Sequence, residues 1–389
     1  MKILLFANTE CYLYNFRRSL ALALALALRE EGHEVLLVSP PGPYGARLQA
    51  LGFRWLAAPM ERLSLNLLRE LRLLAWLWRL VRRERVDVVH GFTIKCAVYG
   101  SLAARGVRPL QGGVARVNAV AGMGYVFTSS DAKARALRPF VRGLLRLALG
   151  GAHSRLVLQN PDDVALFRQA GLVDTARVRL IPGSGVDCAR FASGERHRAD
   201  GPLRVLLPAR LLWDKGVAEF VDAARALRAQ GRRIEFLLAG TPDPGNPAAV
   251  PEATVRAWVA EGTVQWLGHV DDMPALLRGV DVVALPSYRE GLPKGLIEAA
   301  ACALPLVTTD VPGCRHVVTD GVEGLLVPPR DAPALARAIA RLDDDPALRA
   351  RLGTAARTRA LAEFDESIVV GRTLEVYREL VDGASAQDR

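Results

Sequence analysis

Two charged segments in the second half of the sequence have the residue types and spacing to handle a polyanion. The segment Ser287-Tyr288-Arg289-Glu290-Gly291-Leu292-Pro293-Lys294-Gly295-Leu296-Ile297-Glu298-Ala299 follows an apolar stretch and reads as strand, loop and helix start. Pro293 suits a first helical turn, where an amide would go unpaired, and the remaining free amides with the helix dipole favour an anion such as a diphosphate. Glu290 and Glu298 would lie up to ~12 Å apart along a helix axis at ~1.5 Å rise per residue. That is too far for a close carboxylate pair, and it suits contacts to different parts of one elongated ligand. Upstream, Ala209-Arg210-Leu211-Leu212-Trp213-Asp214-Lys215-Gly216 follows another apolar stretch and sets two cations in a strand-end loop. The planar fork of Arg210 binds phosphate oxygens in pairs, Lys215 supplies a compact charge, and together they would neutralise a diphosphate leaving group. Each of these side chains taken alone is more often a solvated surface charge. Their shared placement after strands is what argues for a site.

The elements that must position these residues alternate regularly. Residues 2–7 and 34–39 read as buried strands around a helix over 16–31, in which Leu-Ala alternation is overruled by the helix propensity of both residues and stopped by Gly32. A helix over 65–85 precedes a strand over 86–90. The rhythm restarts with strands at 204–208, 235–239, 280–286 and 305–308, and a helix at 217–230. Repeated βα units imply an α/β protein with two mostly parallel, Rossmann-like sheets. At 389 residues the chain fits two such domains. We expect domains at 1–185 and 203–365, a hinge at 186–202 rich in glycine and charge, and a C-terminal helix at 366–389 that packs back on the first domain. The ligand is expected in an inter-domain cleft, against the carboxyl ends of the strands.

Composition narrows the functional classes. Five scattered cysteines without a Cys-x-x-Cys pair argue against a zinc site or a disulfide framework and for a reducing cytoplasm. No metal is expected, because no Asp-x-Asp or His/Asp cluster stands in a strand-end loop and Asp343-Asp344-Asp345 reads as a solvated turn before Pro346. The longest apolar run, residues 20–28, is too short to span a bilayer, and no export signal is visible at the amino terminus. Residues 1–195 carry a net charge of +13 and residues 196–389 a net −3. The basic half would attract nucleic acid, an anionic membrane or a phosphorylated substrate, and charge alone leaves these open.

Together these segments resemble the family-4 retaining glycosyltransferases of the GT-B fold. Glu290 and Glu298 match the family's Glu-x7-Glu motif, Arg210 with Lys215-Gly216 matches its Arg…Lys-Gly element, and Gly32-His33-Glu34-Val35 and Gly321-Val322-Glu323-Gly324-Leu325-Leu326-Val327 are also similar. The resemblance implies that Arg210 and Lys215 hold the donor diphosphate, Glu290 meets the transferred sugar, Glu298 binds the ribose, and Gly291 and Leu292 offer amides. Gly268 and His269 fall in the stretch similar to the one that receives the base. No obligatory metal and no cofactor beyond a nucleotide-sugar donor, a UDP-sugar by resemblance, are implied. The sequence departs from the family at Thr9-Glu10-Cys11-Tyr12-Leu13, which lacks the usual glycines, and at Ser184 in Gly183-Ser184-Gly185-Val186-Asp187.

The first domain should bind the acceptor through strand-end loops at 9–16, 90–95 and 118–128. Tyr14-Asn15-Phe16-Arg17, His90-Gly91-Phe92-Thr93-Ile94-Lys95 and Gly122-Met123-Gly124-Tyr125 resemble a bacterial subgroup of N-acetylhexosaminyltransferases that extends undecaprenyl-diphosphate-linked sugars. Asn15, His90, Lys95, Gly124 and Tyr125 are therefore the acceptor-side candidates, with Lys95 facing an acceptor phosphate and His90 either acting there or satisfied by backbone. The same resemblance implies a lipid-linked glycan acceptor and a cytoplasmic enzyme, peripheral on the inner face of the membrane. The Arg/Leu/Trp helix at 65–85 and the basic stretch 133–155 would lie on an anionic surface, or else are core-facing helices with solvated arginines. A nucleotide-sugar epimerase or phosphorylase on this fold, or a non-catalytic membrane- or nucleic-acid-binding protein, stand as alternatives. The joint presence of Arg210, Lys215, Glu290 and Glu298 argues against the last, and no nucleic-acid partner is expected.

Overall fold

The computed structural model describes residues 1–29, 34–62, 64, 66–111, 113–120, 132–192, 201–243 and 245–387. The chain forms two compact units, one of residues 1–184 with 368–389 and one of residues 185–367.

The first unit is built on seven parallel strands: β1 (Lys2–Phe6), β2 (Glu34–Ser39), β3 (Arg54–Ala57), β4 (Val88–Phe92), β5 (Ala115–Ala119), β6 (Ser154–Leu158) and β7 (Val178–Leu180), in the order β3-β2-β1-β4-β5-β6-β7. The central strands are buried on both faces, as a parallel sheet covered by helices on both sides requires, with His90, Arg116 and Asn118 as buried polar members. One face packs Ile3, Leu5, Leu13, Leu24 and Phe92, the other Leu4, Phe6, Leu73, Leu77 and Val89. The second unit repeats the plan with β8 (Leu203–Pro208), β9 (Ile234–Ala239), β10 (Gln265–Gly268), β11 (Val282–Leu285), β12 (Leu306–Thr309) and β13 (Gly324–Val327), in the order β10-β9-β8-β11-β12-β13. In each sheet the strand order reverses once, between β1 and β4 and between β8 and β11. Such a reversal leaves a crevice at the carboxyl ends of the two strands.

Three expectations need correction. Residues 9–16 are a helix, Glu10–Phe16, because the Thr9 hydroxyl caps the Tyr12 amide at 3.0 Å and nothing in the segment breaks a helix. The long helix expected over 16–31 begins at Arg18, since Arg17 leaves helical geometry and buries its guanidinium 4.4 Å from the Phe92 ring centroid. The strand expected at 86–90 runs two residues later, as β4. Of the expected hinge, residues 193–200 lie outside the described residues, while Val186 and Cys188 are bonded to Phe364, Asp365 and Glu366 inside the second unit.

The last helix, Glu366–Gln387, completes the first unit. Val369, Val376, Tyr377 and Leu380 enter its core, and Tyr377 is wholly buried. The Tyr377 hydroxyl lies 2.6 Å from His90 Nδ1, and Glu379 accepts from Arg155 at 2.6 Å and Arg179 at 2.5 Å. The acidic run 343–345 is a tie and a cap: Arg232 pairs with Asp343 and Asp344, and Asp345 caps the helix Pro346–Arg359. We expect Tyr377→Ala to cost about 3–5 kcal/mol, as for other large aromatic truncations in a core. A thermal melt that left the first unit's transition unchanged would contradict this placement of the helix.

Candidate active site

Both charged segments converge on the reversal point of the second sheet. After β8 the chain runs through Ala209 and Arg210 to a 3-10 turn, Trp213–Lys215, and Gly216 opens the helix Val217–Ala229 with φ at +72°. A side chain at 216 would strike the Pro286 carbonyl, so only glycine lets the loop after β8 press against the loop after β11. Tyr288 N donates to Asp214 O at 2.9 Å and the Tyr288 hydroxyl to Glu219 at 2.6 Å, tying the two loops together.

Lys215 Nζ then reaches Glu290 Oε1 at 2.5 Å, and the Ser287 hydroxyl donates to the same oxygen at 2.7 Å. Both charged side chains are mostly buried, 16% and 12% exposed. Glu290 is fixed from behind by its own amide, which donates to Pro312 O at 3.1 Å, and Gly313, at φ +85°, has no room for a Cβ against the Glu290 carbonyl. Burial first, and then the Glu290 charge, push the nearby Cys314 thiol up to about 12, so it stays protonated. A carboxylate this constrained, beside a lysine, is positioned for a ligand group with both hydroxyls and negative charge.

The remaining members line the same carboxyl edge. Pro293 caps the helix Lys294–Ala301 from just outside, one place earlier than expected, and Gly291 and Leu292 form the loop before it. Leu292 packs its side chain against the core. Glu298 lies on that helix, 3.5 Å from Lys294 Nζ, and burial raises its pKa above the usual glutamate value against the opposing pull of Lys294. Arg210 is 58% exposed and bonds Asp243 at 2.7 Å. Gly268, at φ +66°, and the exposed His269 end β10, two strands from β8 and so roughly 10 Å along the edge at ~4.8 Å per strand. The arrangement is an elongated rim of paired charges, in which Arg210, Lys215 and Lys294 each face a largely buried carboxylate, Asp243, Glu290 and Glu298 respectively. Among the described residues no group of His, Cys, Asp and Glu is placed to hold a metal ion.

Residues 202–345 match the family model "Glycosyl transferases group 1", and residues 19–183 match "Glycosyl transferase 4-like domain". The chain belongs to these glycosyltransferases. It is similar over 98% of its length, and 99% of the relative's, to the Campylobacter jejuni N,N'-diacetylbacillosaminyl-diphospho-undecaprenol alpha-1,3-N-acetylgalactosaminyltransferase, at 27% identity. It is 24% identical to the Escherichia coli UDP-Gal:alpha-D-GlcNAc-diphosphoundecaprenol alpha-1,3-galactosyltransferase over 82% of each chain. Its fold is shared with solved structures such as Anabaena HepE in complex with UDP-glucose, with TM-score 0.76 and 21% identity over 98% of this chain and 100% of that one. A Rickettsia africae glycosyltransferase gives TM-score 0.76 at 18% identity, over 98% of each chain. The fold is thus GT-B, two parallel-sheet Rossmann-like domains.

The first unit of the glycosyltransferase disposes its candidate residues differently from expectation. Asn15 is exposed on the helix Glu10–Phe16, and its amide donates to Cys11 O one turn back. His90 lies in the middle of β4, 2% exposed, with Nδ1 against Tyr377; burial, reinforced by Arg17, drives its pKa well below the ordinary histidine value. It is a neutral core histidine. Lys95 donates to Glu70 Oε1 at 2.7 Å, Glu61 O at 2.8 Å and Ser64 O at 3.2 Å, which uses all three ammonium hydrogens. It clamps the chain before the helix Leu67–Glu84. Gly124 and Tyr125 lie outside the described residues.

Sequence reasoning passed over Ser287, Tyr288 and Asp243. Ser287 and Tyr288 stood inside the motif, but only the fold shows which side chains turn toward Glu290 and Glu219.

The raised pKa of Glu298 gives a signed pH dependence. Affinity for UDP engaging its ionised form is expected to fall as pH drops from neutral through that pKa, with Glu298→Gln flattening the profile. The folded state holds this proton more tightly than the unfolded one, so Glu298 itself favours folding more as pH falls through the same interval. Weaker binding on acidification therefore cannot come from Glu298-linked unfolding. Calorimetric titration with UDP at a series of pH values checks it, and a pH-independent wild-type affinity would remove Glu298 from the ligand site.

Proposed function

We propose that this enzyme is a retaining hexosyltransferase that moves N-acetylhexosamine from a UDP-sugar to a lipid-diphosphate-linked glycan in cell-surface polysaccharide assembly. The observation that carries the donor half is the convergence of Lys215 and Glu290 at the reversal between β8 and β11, with Arg210 and Glu298 along the same rim. Arg210 and Lys215 would neutralise the departing diphosphate, while Glu290 orients the transferred sugar and Glu298 the ribose. Gly291 and Leu292 would lend backbone amides, and Gly268 and His269 would border the base. The near full-length similarity to the Campylobacter enzyme, whose name specifies an undecaprenyl-diphosphate-linked acceptor and N-acetylgalactosamine, supports the acceptor half and the choice of sugar.

A peripheral position on an anionic membrane fits this acceptor, with the contact moved along the helix Leu67–Glu84. Leu73, Leu77, Leu80 and Val81 are buried, and Trp76 and Trp78 pack against the same core cluster, so the tryptophans are not offered to lipid. At the helix's amino end Leu67, Leu68 and Leu71 are 70%, 78% and 53% exposed among Arg69 and Arg72. The helix Ala132–Leu149 of the same unit exposes Phe140 and Leu147 beside Arg142. Basic and apolar residues at one helix end are the composition of an interfacial contact. No helix among the described residues is long and apolar enough to cross a membrane.

Four measurements test the proposal. Purified enzyme is expected to be stabilised in a thermal melt by UDP-sugars over GDP- and ADP-sugars without added metal, and to give a butanol-extractable labelled product from UDP-N-acetylhexosamine and a polyprenyl-diphosphate-linked sugar. Lys215→Ala is expected to lose at least ~100-fold in turnover with its fold intact, because a cation aimed at developing charge is removed. Stabilisation by another nucleotide series, or a free sugar as the product, would overturn the donor or acceptor assignment respectively. In vesicle sedimentation, replacing Leu67, Leu68 and Leu71 together by serine is expected to weaken binding to anionic liposomes by about 10-fold or more. Unchanged sedimentation would return this helix end to plain solvent.

A further inference from the structure

The loop after β9 is laid along the Arg210 segment as a second, irregular strand. Leu211 N donates to Thr241 O at 3.0 Å, Val250 N to Leu211 O at 2.9 Å and Trp213 N to Ala248 O at 2.8 Å, and Leu212 pairs with Ala249 in an antiparallel bridge. The crossing is close enough at its root that a side chain on Gly240, φ +151°, would overlap the Ala209 carbonyl. The loop's own turn is fixed by Asn246, whose side chain accepts from Ala248 N at 3.0 Å and reaches Asp243 at 3.5 Å.

This loop delivers one charged side chain to the rim. Asp243 is only 15% exposed and is held by a backbone zipped in place, whereas Arg210 is 58% exposed and bonds it through Nη1 at 2.7 Å. The anchored partner is therefore the carboxylate, and the mobile one is the guanidinium. An arginine in solvent samples many rotamers, and an anchored carboxylate on one edge of its fork limits them while the other edge remains for a second oxyanion.

We propose that Asp243 is a positioning residue that pre-orients Arg210 for the donor diphosphate, and that the pairing of Thr241, Ala248, Ala249 and Val250 with the Arg210 segment holds it there. The proposal rests on Arg210 as a donor ligand. A carboxylate next to a phosphate-binding arginine also repels the phosphate, so the two effects oppose each other. The placement of Arg210 decides for orientation: a phosphate on the outer edge of the guanidinium meets the Asp243 charge only across the intervening cation, which neutralises it, while the loss of rotamer freedom acts directly on the contact.

Steady-state kinetics on four variants separate the possibilities. Asp243→Ala is expected to raise the KM for the donor by about 10-fold with kcat changed no more than about 3-fold, and Asp243→Asn, which keeps a hydrogen-bonding oxygen without the charge, to restore most of the loss. Arg210→Ala alone is expected to raise the donor KM, and adding Asp243→Ala to it to change nothing further. An unchanged or lowered donor KM in Asp243→Ala would overturn the positioning role while leaving Arg210 in place. Additive losses in the double variant would do the same by showing that Asp243 acts other than through Arg210. No effect of Arg210→Ala would instead overturn the donor reading itself.

Discussion

The arrangement depends on bringing a lysine and a glutamate together, largely out of water, at the one place in the second sheet where the strand order turns back. Two such groups lose much of their hydration, and they tolerate it because they pair with each other and Ser287 donates to the same carboxylate oxygen. Everything near them serves that placement. Gly216 and Gly313 let backbones approach where a methyl group would collide, the Tyr288 ties bind the loop after β8 to the loop after β11, and the β12 segment braces Glu290 from below. A diphosphate arriving at Lys215 would meet a cation already stripped of competing water and held by a partner of the right charge to be exchanged.

Much of this was legible in the sequence because it is written in local signals. The apolar stretches before Arg210 and Ser287, the glycine after Lys215 and the proline before Lys294 each announce a strand end or a helix start, and β8, β11 and the helix Lys294–Ala301 follow them within a residue or two. The errors fell where local and tertiary signals disagree. Thr9 to Phe16 holds no helix breaker and has a good cap, yet a strand-end position suggested a loop. His90 and Lys95 have the chemistry of an acceptor site, but their neighbours at Tyr377 and Glu70 are 287 and 25 positions away. No spacing rule reveals that a partner so remote will claim the side chain. Asp243 was overlooked for the same reason: its meaning lies in the loop that folds back along Arg210.

The amphipathic helix Leu67–Glu84 shows how composition can mislead about direction. Its tryptophans and arginines have the makeup of a bilayer contact, but a helix can turn only one face inward, and here Trp76 and Trp78 are partly buried against the core cluster while Arg82 stacks on Trp78. The exposed leucines gather at one end instead. Burial, which sequence periodicity gives only to within a face, decides which apolar residues are left over for another surface.

The last helix carries a consequence for how the molecule is made. Residues 368–387 are translated after the entire second unit, and they supply Tyr377 to the core and Glu379 to the arginines at the edge of the first sheet. The core of the first unit is therefore complete only once residues from beyond the second unit join it, whereas the second unit is drawn from one contiguous stretch. Domains usually mature in the order of synthesis. In this chain the half that is begun first receives its closing helix last.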